Sequence, residues 1–144
     1  MTDLLLVRRL KCWTANVGKR LIKSPKIYVR DSGITHALLN IPEYNSLLGH
    51  PVVGVSTSRV QPYYYGTPRG AEIDLVLEFP GGAKWAIEIK RNSTPSISKG
   101  FYSGCEDIKP DKRFVVYSGG ERFPMGDDIT AISLPDLMEE LLKQ

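Results

Sequence analysis

The sequence predicts an α/β domain, a mixed sheet flanked by helices. Three observations carry this. YYYGT, AEIDLVLEF and KWAIEIKR are rich in β-branched and aromatic residues and are divided by turn residues. Ile97, Phe101, Cys105 and Ile108 then recur at helical spacing. KRFVVYS and DITAISL read as strands, and PDLMEELLKQ as a closing helix. Its Leu134, Leu137, Met138, Leu141 and Leu142 lie on one face behind Pro135. The order from Tyr63 is β-β-β-α-β-β-α.

Ahead of this core, LLLVRRLKCW reads as a strand and TANVGKR as a polar loop. LIKSPKIYVRDSG reads as a second strand with Pro25 at its edge or start. A short helix is expected at residues 33–39, capped by Asp31 or Ser32. Residues 40–62 mix Pro, Gly and short apolar patches and predict loops or one weak helix. Gly100 and Gly104 weaken the stripe of the next helix, and Pro110 ends it. The strand–helix–strand step from residue 84 to 117 predicts a right-handed parallel crossover.

The 144 residues suit one ordinary domain with a small appendage. With 42% hydrophobic and 24% charged residues the composition is that of a soluble globular protein. No apolar run approaches bilayer length, so no membrane partner is expected. MTDLLLVRRL lacks the pattern of a secretory signal. Cys12 and Cys105 stand far apart, which argues for a reducing compartment without structural zinc. A cytoplasmic location is the expectation.

Charge is unevenly spread. The net value is +3, yet residues 1–30 hold eight basic side chains against Asp3 alone. The rest of the chain holds 11 basic and 15 acidic residues. Such a front end suits nucleic-acid phosphates or an acidic partner, and a solvated hairpin face explains it equally well. Arg8, Arg9, Lys11, Lys19, Arg20, Lys23 and, at a turn further on, Arg69 are the candidate nucleic-acid contacts.

The most informative stretch is EIDLVLEFPGGAKWAIEIK. By alternation Glu72, Asp74, Val76 and Glu78 share one face, and Ile73, Leu75, Leu77 and Phe79 the other. Lys84, Ala86, Glu88 and Lys90 share a face opposite Trp85, Ile87 and Ile89. A loop of three or five residues would bring the charged faces together; a two-residue turn would not. The odd loop is expected, pairing Glu78 with Lys84, Val76 with Ala86, Asp74 with Glu88 and Glu72 with Lys90. Asp74 opposite Glu88 is repulsive unless a cation intervenes. Two carboxylates there suit Mg²⁺ or Mn²⁺, with the Ile89 carbonyl as a further ligand. Lys90 could orient or deprotonate a water or neutralise a phosphate. The chemistry this fits is phosphodiester hydrolysis. A salt-bridge ladder on a solvated face is the plainer alternative.

GAEIDLVLEFPGGAKWAIEIKR resembles the core hairpin of the PD-(D/E)XK nuclease superfamily, the restriction-endonuclease-like fold, with Asp74, Glu88 and Lys90 in its motif positions. LVRRLKCWTANVGKRLIKSPKIYVRDSGITHALLNI, LLGHPVVG and FVVYSGGERFPMGDDI resemble the C-terminal domain of unknown function of bacterial and archaeal AAA-type ATPases. The resemblance spans nearly the whole chain. It implies a basic β-hairpin, a winged-helix-like remnant, over residues 1–50, followed by a nuclease-like domain over 51–144. ANVGKR lacks the residues of a phosphate loop, so no ATP site is expected. The chain reads as a solitary tail, either natural or an excised piece, which leaves room for a separately encoded ATPase partner. The family's first core helix looks shortened, because only VSTSRVQP separates the GHPVVG-like and YYY-like stretches. A sheet face bared in this way could be covered by a homodimer.

Other residues are weighed as structural. His36 and His50 lack partners at ligand spacing. Cys12, Cys105 and Trp85 suit packing, and Lys99 a solvated position. Tyr63, Tyr64 and Tyr65 could stack bases, although strand alternation accounts for them more simply. Two functions follow: a Mg²⁺-dependent nuclease-like domain using Asp74, Glu88 and Lys90 with Glu72 as an auxiliary carboxylate, or an inactive binding or dimerisation module of the same fold.

Overall fold

The computed structural model describes residues 7–14, 20–22, 24–29 and 60–143; of residues 7, 8 and 27–29 it describes the backbone. The expected helix at 33–39, His36, His50 and most of the stretch where a shortened helix was expected lie outside the described residues. The elements are β1 (Val7–Cys12), β2 (Lys26–Val29), β3 (Gln61–Gly66), β4 (Glu72–Glu78), β5 (Lys84–Ile89), α1 (Lys99–Ile108), β6 (Lys112–Val116), β7 (Phe123–Gly126), β8 (Ile129–Ile132) and α2 (Leu134–Leu142). All eight strands join one mixed sheet in the order β2-β1-β3-β4-β5-β6-β8-β7.

β5, β6 and β8 are mutually parallel, and β4 runs against both β3 and β5. β1 is parallel to β3. Five strands therefore point one way, and their carboxyl ends share one edge of the sheet. The step from β5 through α1 to β6 is a parallel crossover, as expected.

Each face of the sheet carries its own core. On one face α1 packs Phe101, Cys105 and Ile108 against Ile73, Val76, Ala86 and Val115. On the other, α2 packs Leu137 and Leu141 against Leu77, Trp85, Ile87, Phe114 and Ile132. Both helices begin on a serine whose side chain accepts from an early backbone N–H: Ser98 from Phe101 at 3.1 Å and Ser133 from Asp136 at 3.2 Å. Met138 and Leu142 do not join the α2 stripe: they are 36% and 78% exposed, so the buried face is narrower than the sequence suggests.

Three further expectations are corrected. First, the core has one strand more than β-β-β-α-β-β-α: β7 forms a hairpin with β8 through Asp127 and Asp128, both at positive φ (50° and 56°). Second, β4 carries a bulge. Tyr63 pairs with Val76 but Tyr65 with Ile73, so residues 74 and 75 together oppose Tyr64. The bulge inverts the alternation, and Ile73 joins Val76 under α1 rather than Leu77 and Phe79 on the far face. Third, the solvated ladder that was the plainer alternative does not hold at Glu88: Ala86 is fully buried and Glu88 is 4% exposed.

Gly100 and Gly104 let α1 approach β4 closely. A Cβ on Gly100 would lie 2.6 Å from the Gly70 carbonyl oxygen, and one on Gly104 2.7 Å from Ile73 Cγ1. Helix propensity alone favours Gly100→Ala by up to about 1 kcal/mol. The obstacle is backbone, so the clash outweighs that gain. We expect Gly100→Ala to destabilise by about 1–3 kcal/mol in urea denaturation. Unchanged or increased stability would show that the helix has room to move outward.

Candidate functional site

The β4–β5 hairpin sets the site. Glu78 pairs with Lys84, Leu77 with Trp85, Val76 with Ala86 and Leu75 with Ile87. The loop is the expected odd one: Phe79 N–H donates to the Ala83 carbonyl at 2.9 Å and encloses residues 80–82, with Gly81 and Gly82 at φ 95° and 88°. The register would next place Asp74 opposite Glu88, but there β4 bulges. The Asp74 carboxylate instead accepts the Ile89 N–H at 3.0 Å through Oδ2. In a strand a residue's N–H and C=O project to the same side. The Ile89 carbonyl therefore faces the edge where Asp74 stands.

Glu88 lies at the carboxyl end of β5, beneath the start of α1. Its Oε1 is 2.7 Å from Lys90 Nζ, and its Oε2 accepts the Ser98 N–H at 3.2 Å. Ser98 is the N-cap of α1, so the helix dipole also favours a negative charge here. Lys90 is held in turn by its own N–H, which donates to the Val116 carbonyl at 2.8 Å.

Two expected ion pairs do not form. Glu72 pairs with Lys26 at 2.8 Å, not with Lys90. Lys84 donates to the Ile108 carbonyl at 2.9 Å and stands over the Trp13 ring, turning away from Glu78. The repulsion expected between Asp74 and Glu88 is relieved locally, with Lys26 Nζ 3.7 Å from Asp74 Oδ1 and Lys90 on Glu88. Sequence reasoning missed Lys26 and Ser98 as parts of this cluster. Ser98 carries a readable signal, a serine three residues ahead of Phe101 in the helical stripe; Lys26 carries none.

The donor set fits a hard divalent cation that keeps waters. It offers the Asp74 and Glu88 carboxylates and the Ile89 carbonyl, all oxygen. Among the described residues no three or more His, Cys, Asp or Glu side chains gather into a cage, so a closed all-protein site is not built here.

The basic candidates come from several segments. Arg9 and Lys11 are exposed on β1, Arg20 is exposed near the end of β3, and Arg69 is exposed in the β3–β4 turn. The side chain of Arg8 and the whole of Lys19 and Lys23 lie outside the described residues. Tyr64 and Tyr65 are 2% and 0% exposed, which removes them as a stacking platform. Lys99 is exposed.

Cys105 is core, as expected. Burial pushes its thiol up to about 11; Arg113 opposes the shift and Glu88 adds to it. At pH 8 its thiolate fraction is about 10⁻³. We expect iodoacetamide to label the half-buried Cys12 in the native protein and Cys105 only after denaturation. Peptide mass spectrometry showing equal native labelling would contradict this packing.

The family described as a domain of unknown function (DUF4143) matches residues 50–137. A second, also described as a domain of unknown function (DUF8612), matches residues 1–45. Uncharacterized proteins of Mycobacterium bovis (Mb2031c) and Mycobacterium tuberculosis (Rv2008c) are each 39% identical over 150 residues, covering 96% of this chain. The chain spans 34% of the length of each. No solved structure matches it.

Proposed function

Because the chain belongs to the family described as a domain of unknown function (DUF4143), which names no chemistry, we propose a function from the site itself: a Mg²⁺- or Mn²⁺-dependent nuclease-like domain acting on nucleic-acid phosphodiesters. The observation that carries this reading is the setting of Glu88. A solvated salt-bridge ladder gives no reason to bury a carboxylate to 4% exposure at a strand's carboxyl end, fixed by Lys90 and a helix N-cap. Carboxyl ends of parallel strands are where open α/β sheets take ligands.

Asp74, Glu88 and the Ile89 carbonyl would hold the cation, which supplies Lewis-acid activation of water and of the phosphoryl oxygens. Lys90 places an ammonium beside the Glu88 carboxylate, where it can orient a water or meet a phosphate oxygen. Glu72 is the auxiliary carboxylate. Exposed Arg9, Lys11, Arg20 and Arg69 offer charge to a nucleic-acid backbone. The hairpin, crossover and carboxylate placement are in keeping with a restriction-endonuclease-like core. The one-third coverage of the relatives is in keeping with a domain attached to a larger, AAA-type ATPase-like protein.

A second reading has its own support. Asp74 and Glu88 each already face an ammonium within the chain. A site so neutralised suits a catalytically silent module that binds nucleic acid or a protein. A cleavage assay separates the two, using single- and double-stranded DNA and RNA with Mg²⁺ or Mn²⁺. The nuclease reading expects cleavage that Glu88→Ala and Lys90→Ala both lose. No cleavage by the folded parent would favour the silent module.

A further inference from the structure

Lys26 stands 46 residues from Glu72 in sequence and falls within the stretch matched by the other family, residues 1–45. Its ammonium nevertheless lies 2.8 Å from Glu72 Oε1 and 3.7 Å from Asp74 Oδ1, and 5.3 Å from the centroid of the Tyr64 ring. This position is enforced by the backbone around it. The Tyr64 hydroxyl shares its proton between the carbonyls of Ile22 (2.8 Å) and Ser24. Ile22 N–H donates to the Gly66 carbonyl at 2.9 Å, just where β3 ends. The segment that delivers Lys26 is thus tied to the core strand next to β4.

We propose that Lys26 is a positioning residue of the carboxylate site: it is the resident counter-ion of Glu72 and Asp74 and sets how tightly that site takes a divalent cation. The inference rests on the metal-site reading above. Three carboxylates, Glu72, Asp74 and Glu88, face two ammonium groups, Lys26 and Lys90. A divalent ion at Asp74 meets the charge of Lys26 and must weaken the longer of its contacts to Glu72 and Asp74. The shorter contact, to Glu72, keeps the ammonium at the site after the ion has entered. Lys26 and Asp74 side chains are 32% and 33% exposed, so the repulsion is only partly screened. The N-terminal strands thereby couple to metal occupancy: a ligand that pulls β2 away frees Asp74 for the ion.

The test is Mn²⁺ binding to the full chain, followed by electron paramagnetic resonance of free Mn²⁺. Lys26→Met is expected to bind Mn²⁺ about tenfold more tightly than the parent, and Lys26→Arg to match the parent. Tyr64→Phe, which only loosens the segment, is expected to shift affinity the same way by about threefold, with no further gain when added to Lys26→Met. Asp74→Asn reports on the underlying site. If Asp74→Asn loses Mn²⁺ binding but Lys26→Met and Tyr64→Phe bind as the parent does or more weakly, the role of Lys26 is overturned and the metal site stands. If Asp74→Asn leaves binding unchanged, the metal site falls and the role of Lys26 with it.

Discussion

Glu88→Gln is expected to lower metal-dependent phosphodiester cleavage about a thousandfold, about 4 kcal/mol of barrier, while the chain stays folded. The amide keeps the shape of the side chain and can still accept the Ser98 N–H that meets Oε2 at 3.2 Å. It gives up the charge that faces Lys90 at 2.7 Å and that would hold a cation. The variant therefore separates charge from packing. Glu88→Ala removes both, leaving the Lys90 ammonium and the Ser98 N–H without their acceptor, and should add a stability loss of about 1–3 kcal/mol. Parallel cleavage assays and urea denaturation check the pair. Equal activity of parent and Glu88→Gln would remove Glu88 from the chemistry.

The largest stability effect is expected at Trp85. This side chain is 1% exposed and sits at the centre of the α2-side core. Its ring lies 4.8 Å from that of Phe79 and 5.3 Å from that of Phe114, with Lys112 Nζ 4.7 Å over it. Truncation to alanine loses this contact area, both ring contacts and the cation–π contact, and the surrounding strands cannot collapse to fill the space. Trp85→Ala should cost about 3–5 kcal/mol, a large part of the roughly 5–15 kcal/mol that holds a domain folded. The urea midpoint should fall with little change in slope. A loss below about 1 kcal/mol would mean that Trp85 does not organise this core. Because β5 carries both Trp85 and Glu88, the same strand ties the α2-side core to the site on the opposite face.

The hairpin was legible because parity is a strong constraint. A one-residue slip would have carried Trp85 and Ile87 to the wrong face, so the charges and apolar residues together demanded an odd loop. The α1 stripe was legible for the same kind of reason, and so was the buried Cys105. The bulge at residues 74 and 75 was not, because it arises from pairing with β3 and not from anything local to β4. It alters the site directly, turning Asp74 to cap Ile89 instead of facing Glu88 squarely. β7 escaped notice because four residues containing Pro and Gly show no usable alternation. The Gly-Asp-Asp turn at 126–128 was its one signal. Gly100 and Gly104 read as helix weakness, whereas in the fold they are what brings α1 onto β4. Lys26 could not be found from spacing, since a side chain joined to the site through the ends of two strands leaves no periodic trace.

The most direct measurement is a crystal structure of the chain grown with Mn²⁺, phased to reveal anomalous scattering. A peak bounded by the carboxylates of Asp74 and Glu88 and the Ile89 carbonyl, with Lys26 withdrawn from Asp74 and still on Glu72, is the result expected. No peak at saturating Mn²⁺, with Lys26 and Lys90 still paired to the two carboxylates, would contradict the metal-site account and leave a charge-paired binding module.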